Sequence, residues 1–218
     1  MDSDQTVITS AWALHVLRQR DDVEVVGLLT HFNEAFDRVA MHAVRRELVE
    51  AQAAAVGLPL VPVLLPDPCP NEVYVARMRR AIAGPKRSGV THMALNHLYL
   101  VDLLGSHIRV REVTGFEPLF PILTAADDVP ALARRMLAAG LGAVVTCVDP
   151  KQLSERFLGR RYDEALLAEL PSGVDSCSER GEFHTFCYRC PAFRSEVAVI
   201  PGDIVEREGF WFADLYSA

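Results

Sequence analysis

Apolar positions along the chain fall into two patterns, short continuous runs and longer stripes at helical spacing. The run VEVVGLLT at 23–30 is almost wholly apolar, which is typical of a strand buried on both faces of a parallel sheet. The stretch 42–57 instead carries its apolar residues at helical spacing and ends at Gly57, which favours a helix with a glycine C-cap. The chain therefore opens with strand and helix patterns in turn.

The same alternation continues over the first two thirds of the chain. A helix with Ser10 as its N-cap is predicted ahead of the first strand. Further strands are predicted over 60–65, 90–95 and 142–148, and further helices over 71–84 and 129–140. Strands alternating with helices of this length predict an α/β fold, a doubly wound and mostly parallel Rossmann-like sheet with helices on both faces.

The pattern changes beyond Pro171. Turn residues there separate short β-like runs such as FHTFCYR and FWFADLY, which predicts a smaller antiparallel α+β appendage. We therefore expect two units, a Rossmann-like domain of the nucleotide-binding type at 1–150 and a C-terminal subdomain on the substrate side at 151–218.

Composition narrows the class of protein. A net charge of -7 over 218 residues gives no electrostatic footprint for a nucleic-acid partner, and no run approaches the ~20 apolar residues of a membrane span. The polar start MDSDQTVITS lacks the basic and hydrophobic regions of a secretory signal, so a cytoplasmic location is expected. Five cysteines, an odd number, favour free thiols, a metal or redox chemistry over a disulfide framework.

The densest chemistry lies between Cys177 and Cys190. Glu182 and His184 are two residues apart, so an extended backbone places them on the same face. With Thr185 they form a predicted acid/base group, because histidine titrates near neutrality and a carboxylate can fix its tautomer. The alternative is the solvated polar side of an ordinary strand.

Cysteines of the same block have the spacing of a metal site. The four residues Cys177, His184, Cys187 and Cys190 make a Cys3His set of the kind that holds tetrahedral zinc. A redox pair and two inert buried thiols are the other interpretations of Cys187 and Cys190.

Six segments, taken in order, carry a resemblance to a known family. They are RVAMH at 38–42, RREL at 45–48, NEVY at 71–74, CVDP at 147–150, FLGR at 157–160 and GEFHTF at 181–186. In these segments the chain resembles the diphthine-ammonia ligase-like proteins of the adenine nucleotide alpha hydrolase superfamily, also called PP-loop ATP pyrophosphatases.

The resemblance implies a function and a set of site residues. Members of the family bind ATP with Mg²⁺, activate a carboxylate as an acyl adenylate and let ammonia form an amide. Carried onto this chain, it implies a cofactor contact at Ser10, substrate contacts at His42, Arg45 and Glu72, and catalytic roles for Glu182, His184 and Thr185. Asn96 and His97 differ from the family, and their position at the end of a strand, in the expected pocket, predicts a substrate contact and a catalytic role. His42 could equally serve a structural role, and Glu72, behind Asn71 as N-cap, could serve only to complement a helix dipole.

Two departures from the family lie in the expected nucleotide site. The phosphate loop of the family, Ser-Gly-Gly-Lys-Asp-Ser, falls on Gln5–Ser10, where only Ser10 matches and no glycine or lysine is present. The Gly-Asp-Ile that follows a later strand is replaced by Asn96-His97-Leu98. Both changes predict impaired or absent canonical ATP binding, since backbone amides and a lysine normally hold the phosphates.

The sequence thus predicts a divergent amide-forming ligase repurposed for a small-molecule substrate, acting as a monomer or homo-oligomer. A non-catalytic binding or scaffold paralogue is one alternative. An ATP-independent enzyme that uses His97 and His184 as acid and base is the other.

Overall fold

The computed structural model describes residues 7–39, 44–99 and 103–218. Its helices are α1 (Val7–Leu17), α2 (Arg46–Val56), α3 (Asn71–Arg87), α4 (Leu103–Thr114), α5 (Val129–Ala138) and α6 (Glu164–Glu169). Its strands are β1 (Leu28–Asn33), β2 (Arg38–Val39), β3 (Leu60–Leu65), β4 (His92–Ala94), β5 (Glu117–Leu119), β6 (Gly142–Val148), β7 (Phe183–Arg189), β8 (Val199–Arg207) and β9 (Phe210–Ser217).

The N-terminal part contains two separate pieces of parallel sheet. Strand β1 pairs parallel with β3 over its whole length, and β2 pairs antiparallel with the end of β1. Strand β4 pairs parallel with β5. The α/β class with parallel pairing is confirmed, but among the described residues the two pieces are not hydrogen bonded into one sheet.

The C-terminal part is a continuous antiparallel sheet in the order β7-β6-β9-β8, as the turn-rich tail predicts. Strand β6 belongs to this sheet, where it pairs antiparallel with β7 and β9. Its placement in the parallel sheet was therefore wrong. An all-apolar run suits any strand covered on both faces, and all seven residues of β6 are buried. The division into 1–150 and 151–218 stays a prediction, although β6 hydrogen bonds across it.

Several predicted boundaries shift. The first strand begins at Leu28 rather than at residue 23, because its pairing with β3 starts where the Leu28 N–H donates to the Pro59 carbonyl (2.9 Å). Helix α1 starts at Val7, so Ser10 lies inside its first turn and is not the N-cap. Helix α3 is capped at Pro70, so the assignment of Asn71 as N-cap was also wrong. The predicted C-cap Gly57 is confirmed, with a φ of 73°.

Strand β7 joins the two parts of the molecule. Phe183 and Cys187 pack on one side of it in a core that includes Leu14 of α1, whereas Phe186 packs on the other side with Phe32 of β1. Side chains alternate between the faces of a strand, so the buried residues of β7 serve two cores at once. None of the described helices has the length and apolar content needed to cross a membrane.

Candidate functional site

The carboxyl end of β4 meets the start of α1. The side-chain amide of Asn96 donates to the Thr9 hydroxyl at 2.6 Å, and both residues are buried. Ligands of parallel α/β sheets bind outside the carboxyl ends of the strands. This hydrogen bond therefore fixes a strand end and a helix start at the place where such a ligand would bind.

A loop from the C-terminal part closes over the same strand end. The Leu98 N–H donates to Glu179 Oε1 at 3.0 Å. The Tyr99 hydroxyl donates to the carboxylate of Asp175, and the guanidinium of Arg180 lies 5.9 Å from the centre of the Tyr99 ring. Residues 96–99 and 175–182 are thus held together by polar contacts.

Glu182 holds that loop in shape. Its Oε1 accepts from the Asp175 N–H at 2.8 Å, and its Oε2 accepts from the Arg180 N–H at 3.2 Å. Only 1% of the residue is exposed. A buried carboxylate that accepts backbone N–H bonds stabilises a turn, so Glu182 supports the loop rather than facing the crevice described below.

His184 and Thr185 are buried in β7, with exposures of 1% and 0%. Burial lowers the pKa of His184 to about 4, so its imidazole is neutral at pH 7. The Thr185 hydroxyl has no hydrogen-bond partner among the described residues. Neither side chain is placed where it could exchange protons with a ligand in solvent contact.

The cysteines do not form a metal centre. No group of three or more metal-ligating side chains is found in the described part of the chain, which includes all four members of the predicted Cys3His set. Cys187 and Cys190 face the core around α1, and the Cys190 thiol donates to the Ala11 carbonyl at 3.4 Å. His184 has the opposite strand parity from Cys187 and points to the other face. The zinc prediction for Cys177, His184, Cys187 and Cys190 is therefore wrong.

These thiols are also poor nucleophiles. Burial raises the pKa of Cys177, of Cys187 and of Cys190, and it raises the pKa of Cys147 to about 12. All five cysteines are free. Protonated thiols in an apolar core behave as small hydrophobic side chains, which agrees with the interpretation as inert buried thiols.

Arg45 is part of an ion-pair cluster. Arg45 and Arg38 both donate two hydrogen bonds to the Asp214 carboxylate, at 2.6–3.1 Å, and the Arg45 guanidinium lies 4.2 Å from the centre of the Tyr216 ring. Although burial opposes it, hydrogen bonding from both arginines holds the pKa of Asp214 well below its usual range. Arg45 thus joins the start of α2 to β9.

The remaining predicted residues separate into two groups. Ser10, Asn96 and His97 line one large crevice, together with Tyr99 and Glu179. Arg45, Glu72, Glu182, His184 and Thr185 are not among its described lining residues. Glu72 is exposed in the first turn of α3. His42 lies outside the described residues.

The crevice has a volume of about 2280 Å³, well above the ~300–1,000 Å³ of a typical small-molecule pocket. At the start of α1, positions 7–10 are already helical, and the two residues before them, Gln5 and Thr6, are neither glycine nor lysine. A phosphate-binding loop needs open backbone amides ahead of the helix. Near the end of β4 the lining offers the amide of Asn96, the imidazole of His97, the hydroxyls of Ser10 and Tyr99, and the carboxylate of Glu179.

Comparison with protein families gives a match over residues 129–216, to the diphthamide synthase C-terminal domain. The chain is related to the diphthine-ammonia ligase-like proteins. The match begins at the first residue of α5 and covers the antiparallel sheet except the last residue of β9, although it spans less than half of the chain. No curated protein matches the chain.

Two carboxylates in the matched region, Asp175 and Glu179, were not predicted from the sequence. Both carboxylates bind residues 98–99 of the N-terminal part. The available signal was the acid-rich stretch DSCSERGE at 175–182, which has the composition of a turn. Thr9 and Tyr99 had no comparable signal, because their contacts join positions about eighty residues apart.

Proposed function

We propose that the chain is a divergent member of the ATP-dependent amide-forming ligase family, acting in the cytoplasm and repurposed to bind a small carboxylate in the crevice. In this proposal its N-terminal part is a modified doubly wound, Rossmann-like domain, and canonical ATP binding is impaired or absent. The observation that carries the proposal is the joint lining of one crevice by Ser10, Asn96 and His97, next to a domain of the ligase family.

The chemistry of the lining supports an anionic ligand. Helix α1 begins beside Asn96, and the positive end of its dipole favours negative charge. The imidazole of His97 lies beside Phe120, with ring centres 6.0 Å apart, and it can donate a hydrogen bond to a carboxylate. Glu179 is held by the Leu98 N–H and faces the same space, so it selects against ligands with a second negative charge nearby.

Calorimetric titration tests the nucleotide part of the proposal. We expect ATP with Mg²⁺ to bind with a Kd weaker than about 1 mM, because no amide-rich loop or lysine precedes α1. Micromolar ATP binding would contradict the proposal. The same titration with a panel of small carboxylates, namely acetate, succinate, glutamate and benzoate, tests the ligand class.

Variants of the crevice provide the second test. We expect His97→Ala and Ser10→Ala each to raise the Kd of the tightest-binding carboxylate by about tenfold. This is the effect of losing one charge-assisted hydrogen bond. His15→Ala is the matched control, because His15 is a partly exposed histidine of α1 that is not among the lining residues of the crevice. Equal affinities for all three variants would place the ligand elsewhere.

A second candidate is a non-catalytic binding paralogue. The observation that favours it is the burial of Glu182, His184 and Thr185, each at most 1% exposed. In a ligase, release of pyrophosphate or AMP should depend on ammonium and on the carboxylate that binds. In a binding paralogue the carboxylate binds with unchanged affinity whether or not ATP and ammonium are present, and nothing is released.

A further inference from the structure

Strand β8 is the outer strand of the C-terminal sheet. The sheet has the order β7-β6-β9-β8, so among the described residues β8 pairs with β9 and with no other strand. Two large apolar side chains of β8, Ile200 and Ile204, are 50% and 54% exposed. An edge strand with exposed apolar side chains is a surface on which a further strand can pair.

The hairpin between β8 and β9 determines which backbone groups of β8 point outward. Arg207 pairs with Phe210 across the two-residue turn 208–209, whose φ angles of 53° and 83° are those of a type I′ turn. The residues that close such a turn exchange both of their hydrogen bonds, and bonded positions then alternate along the ladder. Arg207 therefore bonds to β9, whereas Ile204 and Glu206 direct their N–H and C=O groups outward.

The part of the edge that can accept a strand is short. The ladder with β9 is irregular between Pro201 and Ile204 and regular from Ile204 to Arg207. Pro201 has no N–H and interrupts pairing on the side before it. A partner strand would therefore pair with residues 203–207.

The charged side chains of this stretch have no partner of opposite charge within the described residues. Asp203, Glu206 and Arg207 are exposed, and none of them takes part in an ion pair of the described chain. Side chains alternate between the faces of a strand, so Asp203 and Arg207 lie on the same face. Each is available to a charge on an incoming strand.

The order of these charges is complementary to itself. Two copies of the strand can pair antiparallel about a two-fold axis that passes through Ile204, Val205 or Glu206, because each of these registers joins outward groups. An axis at Glu206 places two carboxylates opposite each other, and an axis at Ile204 places Asp203 opposite Val205. Only the axis at Val205 places Asp203 of each copy opposite Arg207 of the other, and opposite charges in facing positions stabilise a ladder.

We propose that the edge of β8 binds β8 of a second copy of this chain, antiparallel and with Val205 on the two-fold axis. Ile204 of each copy and Glu206 of the other exchange their outward hydrogen bonds, about four in all. The two Ile204 side chains become diagonal neighbours on one face of the ladder. The two C-terminal sheets thereby join into one continuous sheet, and this dimer does not depend on a carboxylate in the crevice.

Sedimentation velocity of the full chain is the first test. From about 5 µM to about 500 µM we expect a shift from the mass of one chain to the mass of two, because a short edge ladder lies at the small end of interfaces and should give a Kd on the order of 10–100 µM. The mass of one chain at every concentration would overturn the proposal. Growth beyond two copies would overturn it too, because pairing about a two-fold axis is complete with two.

Charge exchange is the second test. Asp203→Arg and Arg207→Asp should each raise the Kd of the dimer by at least about tenfold, because each variant places like charges opposite each other twice. The double variant, which exchanges the two charges, should dimerise within about threefold of the native Kd. Asp127→Arg, the same change of charge at an exposed position outside the sheet, is the control and should dimerise as the native chain does.

Mixing the two single variants sharpens this test. One variant then carries two arginines at positions 203 and 207 and the other carries two aspartates, so an equimolar mixture should form a mixed dimer although neither variant dimerises well alone. Single variants that dimerise as the native chain does would overturn the proposal. A double variant or a mixture that stays monomeric would overturn the register.

Hydrogen exchange locates the interface. At about 500 µM the amides of Ile204 and Glu206 should exchange at least about tenfold more slowly in the native chain than in Asp203→Arg, whereas those of Val205 and Arg207, bonded to β9 in both, should not differ. Equal exchange of the Ile204 and Glu206 amides in the two proteins would exclude pairing through this edge.

Discussion

The two parts of the molecule differ in how their strands are arranged. The C-terminal sheet is continuous, and β6 in its interior is buried along its whole length. In the N-terminal part the strands form two separate short pieces of sheet, and β1 and β4 both line a large crevice. A concave crevice is a surface on which a small ligand can bind. The difference indicates that stability is concentrated in the C-terminal part and ligand binding in the N-terminal part.

The largest expected contrast is in core truncation. Phe186 is fully buried between the C-terminal sheet and β1, so Phe186→Ala should lower the free energy of unfolding by about 3–5 kcal/mol. Leu29→Ala, beside the crevice, should lower it by about 1 kcal/mol or less, because a half-buried side chain loses less apolar burial. Urea denaturation at pH 7 measures both, and equal losses would contradict the contrast.

The next effect is a dependence of stability on pH that arises in β7. The folded pKa of His184, about 4, lies below its unfolded value, so the unfolded chain binds its proton first. The contribution of neutral His184 to the free energy of unfolding is therefore fully present above pH 6.5. It is lost as the pH falls toward 4, and the total loss is about 3 kcal/mol.

A His184→Gln variant should flatten that part of the stability curve, measured by urea denaturation between pH 4 and pH 7. Burial also lowers the pKa of His31, so His31→Gln is the matched comparison and should remove a smaller share. A His184→Gln curve as steep as that of the native chain would show that the imidazole is accessible to protons.

The ion pairs between the two parts should give a smaller effect. Asp214→Asn leaves Arg38 and Arg45 without their shared carboxylate and should lower the free energy of unfolding by about 1–3 kcal/mol. Since the folded pKa of Asp214 is depressed, the native contribution is present above about pH 4 and is lost as the pH falls below it. Glu206→Gln, at an exposed position of β8, is the control for surface charge.

The smallest effect is expected at Thr185. Its hydroxyl is buried without a partner among the described residues, so Thr185→Val should change the free energy of unfolding by at most about 1 kcal/mol, in the stabilising direction. Thr146→Val, a second buried hydroxyl with no partner in the described ranges, should behave alike. If Thr185→Val alone abolished carboxylate binding or turnover, Thr185 would be functional after all.

The sequence predicted local elements well where one pattern had one interpretation. The strand at 60–65 and the glycine cap at Gly57 were found as predicted. The strand at 142–148 was also found, but in the antiparallel sheet and not in the predicted parallel one. A continuous apolar run indicates that both faces of a strand are buried, but it does not indicate which strand pairs with it.

The same limit applies to the candidate site. Spacing placed Glu182, His184 and Thr185 in one predicted acid/base group, whereas the fold buries the last two in β7 and uses the first to hold a loop. Spacing of Cys177, Cys187 and Cys190 suggested zinc, but the alternation of β7 directs Cys187 away from His184, and no group of three metal-ligating side chains is found in the described residues. The residue type sets which chemistry a side chain is capable of, whereas its burial and contacts in the fold decide which role it has.

By itself, then, the sequence determined the alternation of helices and strands, the antiparallel tail and the resemblance to a ligase family that the match over 129–216 supports. Only the tertiary structure decided that β6 pairs with the tail, that residues 98–99 bind the loop at 175–182, and that β1 and β4 line one crevice. Local patterns depend on neighbours three or four positions away. These three features depend on contacts between distant segments, and no local pattern encodes which distant segments meet.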